Sequence, residues 1–390
     1  MSESILDAEA LLVAAQAETG LSDYGDDTLP ARFALAVEHL RGIGMDAAGQ
    51  RAGADVCRGL LTSRLQFFAD RQRYAIAEEK VERPLFATGE PRSGTTLLHA
   101  LLSVDPQARA LRFWEVMYPS SPPGLANSDD PRRARADADW REILQKIPKW
   151  LISHPYNDML GDGLPECERT WAFDFRVMTP TAWWRVPMGM NIGGLPSDPR
   201  AQYRLHRMML QHCQYARPPK TWVLKGFHGL RLAAFFETYP DARMIWIHRD
   251  PVQMIASRIM MAADLTEGLV GRVDDWKALA KLHLDACRVS IANTLSNPLV
   301  NDPRILHVRY PDFTADPVGT IRRFYAFADK PFTAEAETAM RQYLANNRGD
   351  RYGKFRYSPA LINEDIDALH AEFAPFRARF GLDIEQRGKA

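Results

Sequence analysis

The chain has 390 residues, with 49 basic and 49 acidic side chains and a formal net charge of +0. Hydrophobic residues make up 46% and charged residues 25%, a globular composition with ample core material. The charge balance excludes a dedicated nucleic-acid or polybasic membrane binder, whose affinity comes from excess positive charge, but it allows a local basic pocket. The four cysteines, Cys57, Cys167, Cys213 and Cys287, lie far apart and form no C-x-x-C, no zinc spacing and no disulfide framework. A reducing cytoplasm is the expectation. The N-terminus lacks the basic start and apolar run of a signal peptide. No stretch approaches the roughly 18 apolar residues of a membrane span, so no integral membrane segment is expected.

Residues 1–80 read as a helical region packed on the core. Ile5, Ala8, Leu11, Leu12 and Ala15 recur at helical steps, and Gly20 is placed to end that helix. Further helices are predicted over about 31–41 and 54–79. Residues 81–360 read as an α/β core. Pro84 to Thr88 is a short apolar strand ending at Gly89, and Thr95 to Val104 is a helix. Ala108 to Trp114 is a candidate second strand. Residues 116–220 break this rhythm. They carry Trp140, Trp150, Trp171, Trp183, Trp184, Met188 and Met190, and read as an inserted cap on the acceptor side.

The strand–helix rhythm resumes with Trp222 to Lys225 (strand), Leu230 to Thr238 (helix) and Arg243 to Ile247 (strand). Asp250-Pro251 is a helix start, with Asp as N-cap and Pro at the first helical position. Arg304 to Val308 is a strand and Val318 to Phe327 a helix. A basic loop spans Asn346 to Tyr357, and residues 361–390 carry a last helix. Strands alternating with helices predict an α/β fold: a P-loop-NTPase-like parallel sheet flanked by helices, with a helical N-terminal extension and an aromatic-rich helical insertion.

The segment Gly89-Glu-Pro-Arg92-Ser93-Gly94-Thr95-Thr96 has the span of a phosphate-binding loop between strand and helix. Position seven is Thr95, where a nucleoside-triphosphatase has lysine. Arg92 offers charge, and Ser93, Thr95 and Thr96 offer hydroxyl donors. No acid stands at the end of strand 243–247, since Asp250 comes two residues later and suits an N-cap. Mg²⁺-dependent phosphotransfer therefore lacks both its lysine and its metal ligand. Arg249 and Ser257 flank the same edge of the sheet.

Together these residues resemble the sulfotransferases that use 3′-phosphoadenosine 5′-phosphosulfate (PAPS), in a bacterial branch related to tyrosylprotein sulfotransferases. Pro91 to Thr96 resembles the family's 5′-phosphosulfate loop, and Arg249 with Ser257 its 3′-phosphate site. Trp222 to Lys225 resembles the segment with the catalytic lysine, and Phe113-Trp114-Glu115 the one with the catalytic glutamate. His307 to Phe313 resembles a recurring strand and turn. The resemblance spans roughly residues 80–330, with a looser match around Gly353 to Ser358. It departs after Lys225, where Gly226-Phe227 replaces Ser-Pro and His228 falls three residues beyond the lysine instead of four.

The resemblance implies transfer of the sulfuryl group from PAPS to a hydroxyl acceptor, releasing 3′,5′-ADP (PAP) and needing no metal. Glu115 is expected as general base, its pKa raised by desolvation, and Lys225 as the charge following the sulfuryl group. Arg92, Ser93, Gly94, Thr95, Thr96, Arg249, Ser257 and Lys354 are expected to bind the donor. Glu166 and Glu168 are rival carboxylates, while His228 and His99 read as packing residues. The acceptor is expected to be a small molecule or lipid, hydrophobic because of the Trp and Met content. Neither nucleic acid nor metal is expected. A homodimer is left open by the sequence, as are acceptor identity and pathway. The alternatives are a non-catalytic PAP/PAPS-binding module and, further off, a P-loop kinase.

Overall fold

The computed structural model describes residues 5–42, 45–176 and 197–385. Trp183, Trp184, Met188 and Met190 lie outside these residues. Five short strands form one parallel sheet: β1 (Leu85–Gly89), β2 (Ala108–Arg109), β3 (Thr221–Lys225), β4 (Arg243–His248) and β5 (Ile305–Arg309). Their order is β2-β3-β1-β4-β5. Ala87 in β1 is level with Lys225 in β3 and Ile245 in β4, and Gly89 is level with Ile247. The strands therefore deliver Gly89, Lys225 and His248-Arg249 to one edge of the sheet, the carboxyl edge where parallel α/β folds bind ligands.

Alternation along the strands builds two cores. Phe86, Trp222, Leu224, Met244 and Trp246 face one layer, and Leu85, Ala87, Val223, Ile245 and Ile247 the other. Both faces are covered, so the strands read as continuous apolar runs.

Three helices precede β1: α1 (Ala8–Thr19), α2 (Leu29–Gly42) and α3 (Ala47–Arg73). Gly20 caps α1 with φ +68°, as a C-cap glycine does. After β1 comes α4 (Thr95–Ser103). Then α5 (Phe113–Met117), α6 (Pro131–Lys146), α7 (Trp150–Ser153) and α8 (Pro199–Gln214) lie between β2 and β3. Next come α9 (Leu232–Thr238), α10 (Pro251–Val270) and α11 (Trp276–Ser296). After β5 follow α12 (Tyr310–Ala315), α13 (Pro317–Phe327), α14 (Ala334–Asn346), α15 (Ile366–Glu372) and α16 (Ala374–Phe380).

Three local expectations differ from what forms. The strand predicted over 108–114 is only two residues long, because Glu115 reaches back to the Arg112 N–H in a capping box and starts α5. The last helix is split at Phe373, with Pro375 in the first turn of α16. Asp250 does sit at the N-cap of α10, but its side chain makes no cap hydrogen bond and accepts the Glu385 N–H instead.

The N-terminal helices prop the segment that follows Glu166. Arg32 and Arg64 both reach Asp174 Oδ1, at 3.0 and 3.1 Å, and Phe33 packs on Phe175 with ring centroids 4.7 Å apart. Trp171 is fully buried in the main core, and Trp140 packs on Phe113 at 4.4 Å. These two tryptophans of the insertion are thus core residues. All four cysteines are buried and free.

Candidate active site

The loop after β1 is built for close approach. Gly94 has φ +92°, and a Cβ there would lie 3.0 Å from the Tyr310 ring. A Cβ at Gly89 would lie 2.4 Å from Ser93 Oγ and 2.7 Å from the Ile247 carbonyl. Ser93 Oγ is buried without a hydrogen-bond partner. Thr95 and Thr96 open α4, so their amides lie in its first turn, at the positive end of the helix dipole. Gly94→Ala is expected to cost about 1–2 kcal/mol in a urea unfolding curve, the ordinary penalty for a side chain in the left-handed region.

Arg92 ties the loop to two distant elements. Its backbone has φ +76°, a conformation that L-residues hold only when their surroundings fix it. Its Nε donates to Ser257 Oγ on α10 at 3.0 Å, and Nη1 donates to the Ser153 carbonyl on α7 at 2.9 Å. The guanidinium lies 4.9 Å from the Phe355 ring centroid. Arg249, leaving β4, donates from Nη1 to the Arg92 carbonyl at 2.9 Å. Arg92, Arg249 and Ser257 thus form one connected group, although 165 positions separate Arg92 from Ser257.

Lys225 ends β3 and is buried, with 7% of its side chain exposed. Its Nζ donates to Glu166 Oε1 at 2.6 Å. Two residues on, Glu168 Oε1 accepts the Phe227 N–H at 2.7 Å, while its Oε2 is buried without a partner. Burial and then the neighbouring Glu166 charge raise the Glu168 carboxyl to about 7. A Cβ at Gly226 would lie 2.9 Å from Glu168 Oε2 and from His228 Nε2, so only glycine fits between them. His154 is half-buried within electrostatic reach of both Arg92 and Lys225. Burial first, then those two charges, hold its pKa well below that of an ordinary imidazole. It stacks on Trp150 at 4.0 Å, and its Nδ1 contacts Ser153 Oγ at 2.9 Å. The charges of the donor loop and the lysine thus both act on one half-buried histidine and favour its neutral form.

The other predicted residues fall as follows. Glu115 is buried, with Oε1 accepting from Arg109 Nη2 at 2.7 Å and Oε2 from the Arg112 N–H at 2.9 Å. No hydrogen bond or ion pair joins it to Lys225. Lys354 is exposed and makes no ion pair among the described residues, whereas its neighbours Phe355 and Tyr357 reach Arg92 and Arg249. His99 is buried, with Nε2 at 3.3 Å from the Val223 carbonyl. His228 is buried with Nδ1 at 2.8 Å from the Tyr203 hydroxyl, and its N–H donates to Thr88 Oγ1. Ser153, His154 and Glu385 escaped sequence reasoning because each arrives from a segment with no motif of its own; Phe355 and Tyr357 lie in the basic loop, where the sequence drew attention to the charged Lys354 and not to its aromatic neighbours. Among the described residues no three His, Cys, Asp or Glu side chains converge to hold a metal.

A parallel α/β sheet whose carboxyl edge carries an arginine-bearing anion loop beside a buried lysine paired with a half-exposed carboxylate is an arrangement suited to group transfer. Residues 84–334 match the model of the sulfotransferase family, and the chain belongs to that family. It is 26% identical over 328 residues to omega-hydroxy-beta-dihydromenaquinone-9 sulfotransferase of Mycobacterium tuberculosis, covering 77% of this chain and 75% of that protein. Among solved structures, sulfotransferase STF9 from Mycobacterium avium superposes with a TM-score of 0.82 at 28% identity, over 99% of this chain and 100% of that one. The fold is also that of sulfotransferase STF1 from Mycobacterium tuberculosis, with a TM-score of 0.75 at 24% identity over 95% and 99%. The protein is a sulfotransferase, an enzyme that transfers a sulfuryl group.

Proposed function

We propose that the donor is PAPS and that the acceptor is the hydroxyl of a hydrophobic molecule such as a lipid alcohol. The linked group of Arg92, Ser257 and Arg249 carries the donor reading. It offers two arginines and a hydroxyl to two separate anionic groups, as a 5′-phosphosulfate and a 3′-phosphate would require. The missing loop lysine agrees, because PAPS has no triphosphate chain to hold. The menaquinone-directed relative supports the acceptor reading. No helix of the described residues is long and apolar enough to cross a membrane. The four free cysteines suit a cytoplasmic setting.

In this reading the acceptor oxygen attacks sulfur in line while the S–O bond to the 5′-phosphate breaks. The hydroxyl proton passes to a carboxylate, and the electron pair of the broken bond stays on the leaving phosphate. Lys225 neutralises charge on the non-bridging sulfuryl oxygens, and Arg92 with the α4 amides stabilises the leaving phosphate. Glu166 suits the proton transfer better than Glu115, because it already touches Lys225 while both Glu115 oxygens are held by Arg109 and Arg112. Glu115 is then the residue that sets the β2–α5 corner beside the site.

The test pairs calorimetry with transfer. PAP is titrated in parallel with ATP·Mg²⁺, and radiolabelled PAPS is offered with a panel of aliphatic and isoprenoid alcohols. Binding of PAP without ATP, and label in the alcohol fraction, is the expected result. ATP·Mg²⁺ binding without PAP binding would overturn the donor assignment. Label confined to small polar alcohols would overturn the acceptor class.

A further inference from the structure

Arg249 is the residue to which the donor reading gives the 3′-phosphate, and its guanidinium already holds an anion. Glu385 Oε2 accepts from Nε at 2.7 Å and Oε1 from Nη2 at 2.5 Å, the paired geometry of a guanidinium and a carboxylate. Nη2 also reaches the Tyr357 hydroxyl at 3.0 Å, and the Tyr310 ring centroid lies 4.3 Å from the guanidinium carbon. The Arg249 side chain is 6% exposed and that of Glu385 25%. Burial would lower the Arg249 pKa, but the Glu385 hydrogen bond and the nearby tyrosines raise it instead.

The segment bringing Glu385 to this place is lightly attached. Leu382 is buried in the core formed with α10, α11, α15 and α16, but Asp383 and Ile384 are exposed. Beyond Leu382 the described chain is held by polar bonds at the start of α10: the Glu385 N–H donates to Asp250 Oδ2, and its carbonyl accepts from Gln253 Nε2, both at 3.2 Å. A carboxylate paired with a buried arginine presents the same two-oxygen edge as a phosphate. It also keeps the arginine from standing unpaired, which is strongly unfavourable.

We propose that Glu385 is a built-in competitor for the donor's 3′-phosphate: it neutralises Arg249 in the free enzyme and yields it, with residues 383–385, when the nucleotide binds. The same exchange run backwards helps expel PAP after transfer. This inference rests on the donor reading above. A phosphate dianion brings more charge and more acceptor oxygens than the carboxylate, so the exchange runs toward the nucleotide.

The experiment titrates the full-length chain and its Glu385→Gln variant with PAP and with 5′-AMP, which lacks the 3′-phosphate. It also follows amide hydrogen exchange of residues 383–385 in the unaltered chain with and without PAP. PAP is expected to bind Glu385→Gln about tenfold more tightly, and 5′-AMP within about twofold of the parent. PAP is also expected to lower protection of the Glu385 amide. No PAP binding to the parent overturns the donor reading and this inference with it. Equal PAP affinity in parent and variant, or an amide as protected with PAP as without, overturns the competition alone and leaves a static ion pair. An equal gain for 5′-AMP and PAP overturns it too, since the tail would then screen the whole nucleotide. The exchange measurement needs no variant, so it decides the matter even if Glu385→Gln folds poorly.

Discussion

Glu166→Gln is expected to lower kcat by about 10³-fold while leaving PAP affinity within about twofold of the parent. The amide keeps the size of the carboxylate and can still lie against Lys225, 2.6 Å from Nζ in the parent, but it cannot take a proton. Its loss therefore falls on the transition state and not on donor binding, and kcat and kcat/KM should drop together. The measurement is a single-turnover rate with PAPS and whichever alcohol the acceptor panel identifies. Glu115→Gln is the decisive companion. It weakens the pair with Arg109 and the cap on α5, so it is expected to lower stability by about 1–2 kcal/mol and to reduce the rate less than Glu166→Gln does. Should Glu115→Gln carry the 10³-fold loss with unchanged stability while Glu166→Gln stays active, Glu115 is the base.

Much of the frame was legible in the sequence because its signals are local. Four of the five strands, β1, β3, β4 and β5, are each marked by a short apolar run with a turn residue, a proline or a charge at its ends. The Gly89–Thr96 loop announces itself by glycine spacing, and Asp250-Pro251 by capping chemistry. Segment 108–114 misleads because Ala110-Leu111 and Phe113-Trp114 are separated only by Arg112 and read as one strand, while the deciding contact is a carboxylate returning three residues to the Arg112 N–H. The catalytic edge was harder to read. The Lys225–Glu166 pair spans 59 positions and the Arg249–Glu385 pair 136. No periodicity or motif encodes such pairings; they exist only once the parallel sheet brings the strand ends level. Glu115 drew attention through its aromatic neighbours, yet those neighbours turn into the core: Trp114 is 1% exposed and Phe113 packs on Trp140.

Arg92→Ala is expected to reduce kcat/KM for PAPS by about 10³–10⁴-fold, the scale on which a single arginine supports phosphoryl transfer. The substitution removes a charge, but it also unties three elements. Ser257 on α10 loses the Nε donor, the Ser153 carbonyl on α7 loses Nη1, and Phe355 loses the cation on its face. On the 3′-phosphate side Ser257 loses one partner but keeps its hydroxyl, and the Arg92 carbonyl remains to receive Arg249, whereas the 5′ side loses its charge. PAP keeps the 5′-phosphate that meets Arg92, but the charge that Arg92 stabilises builds on that phosphate as the S–O bond breaks, so PAP affinity should fall far less than kcat/KM for PAPS. Arg92→Lys separates charge from geometry. Lysine restores a point charge but not the two directed bonds to Ser257 and Ser153, and it is expected to recover about a tenth of the lost rate or less. Near-normal turnover in Arg92→Ala would mean that backbone amides and the α4 dipole alone hold the donor. Full recovery in Arg92→Lys would mean that charge matters and the link between α7 and α10 does not.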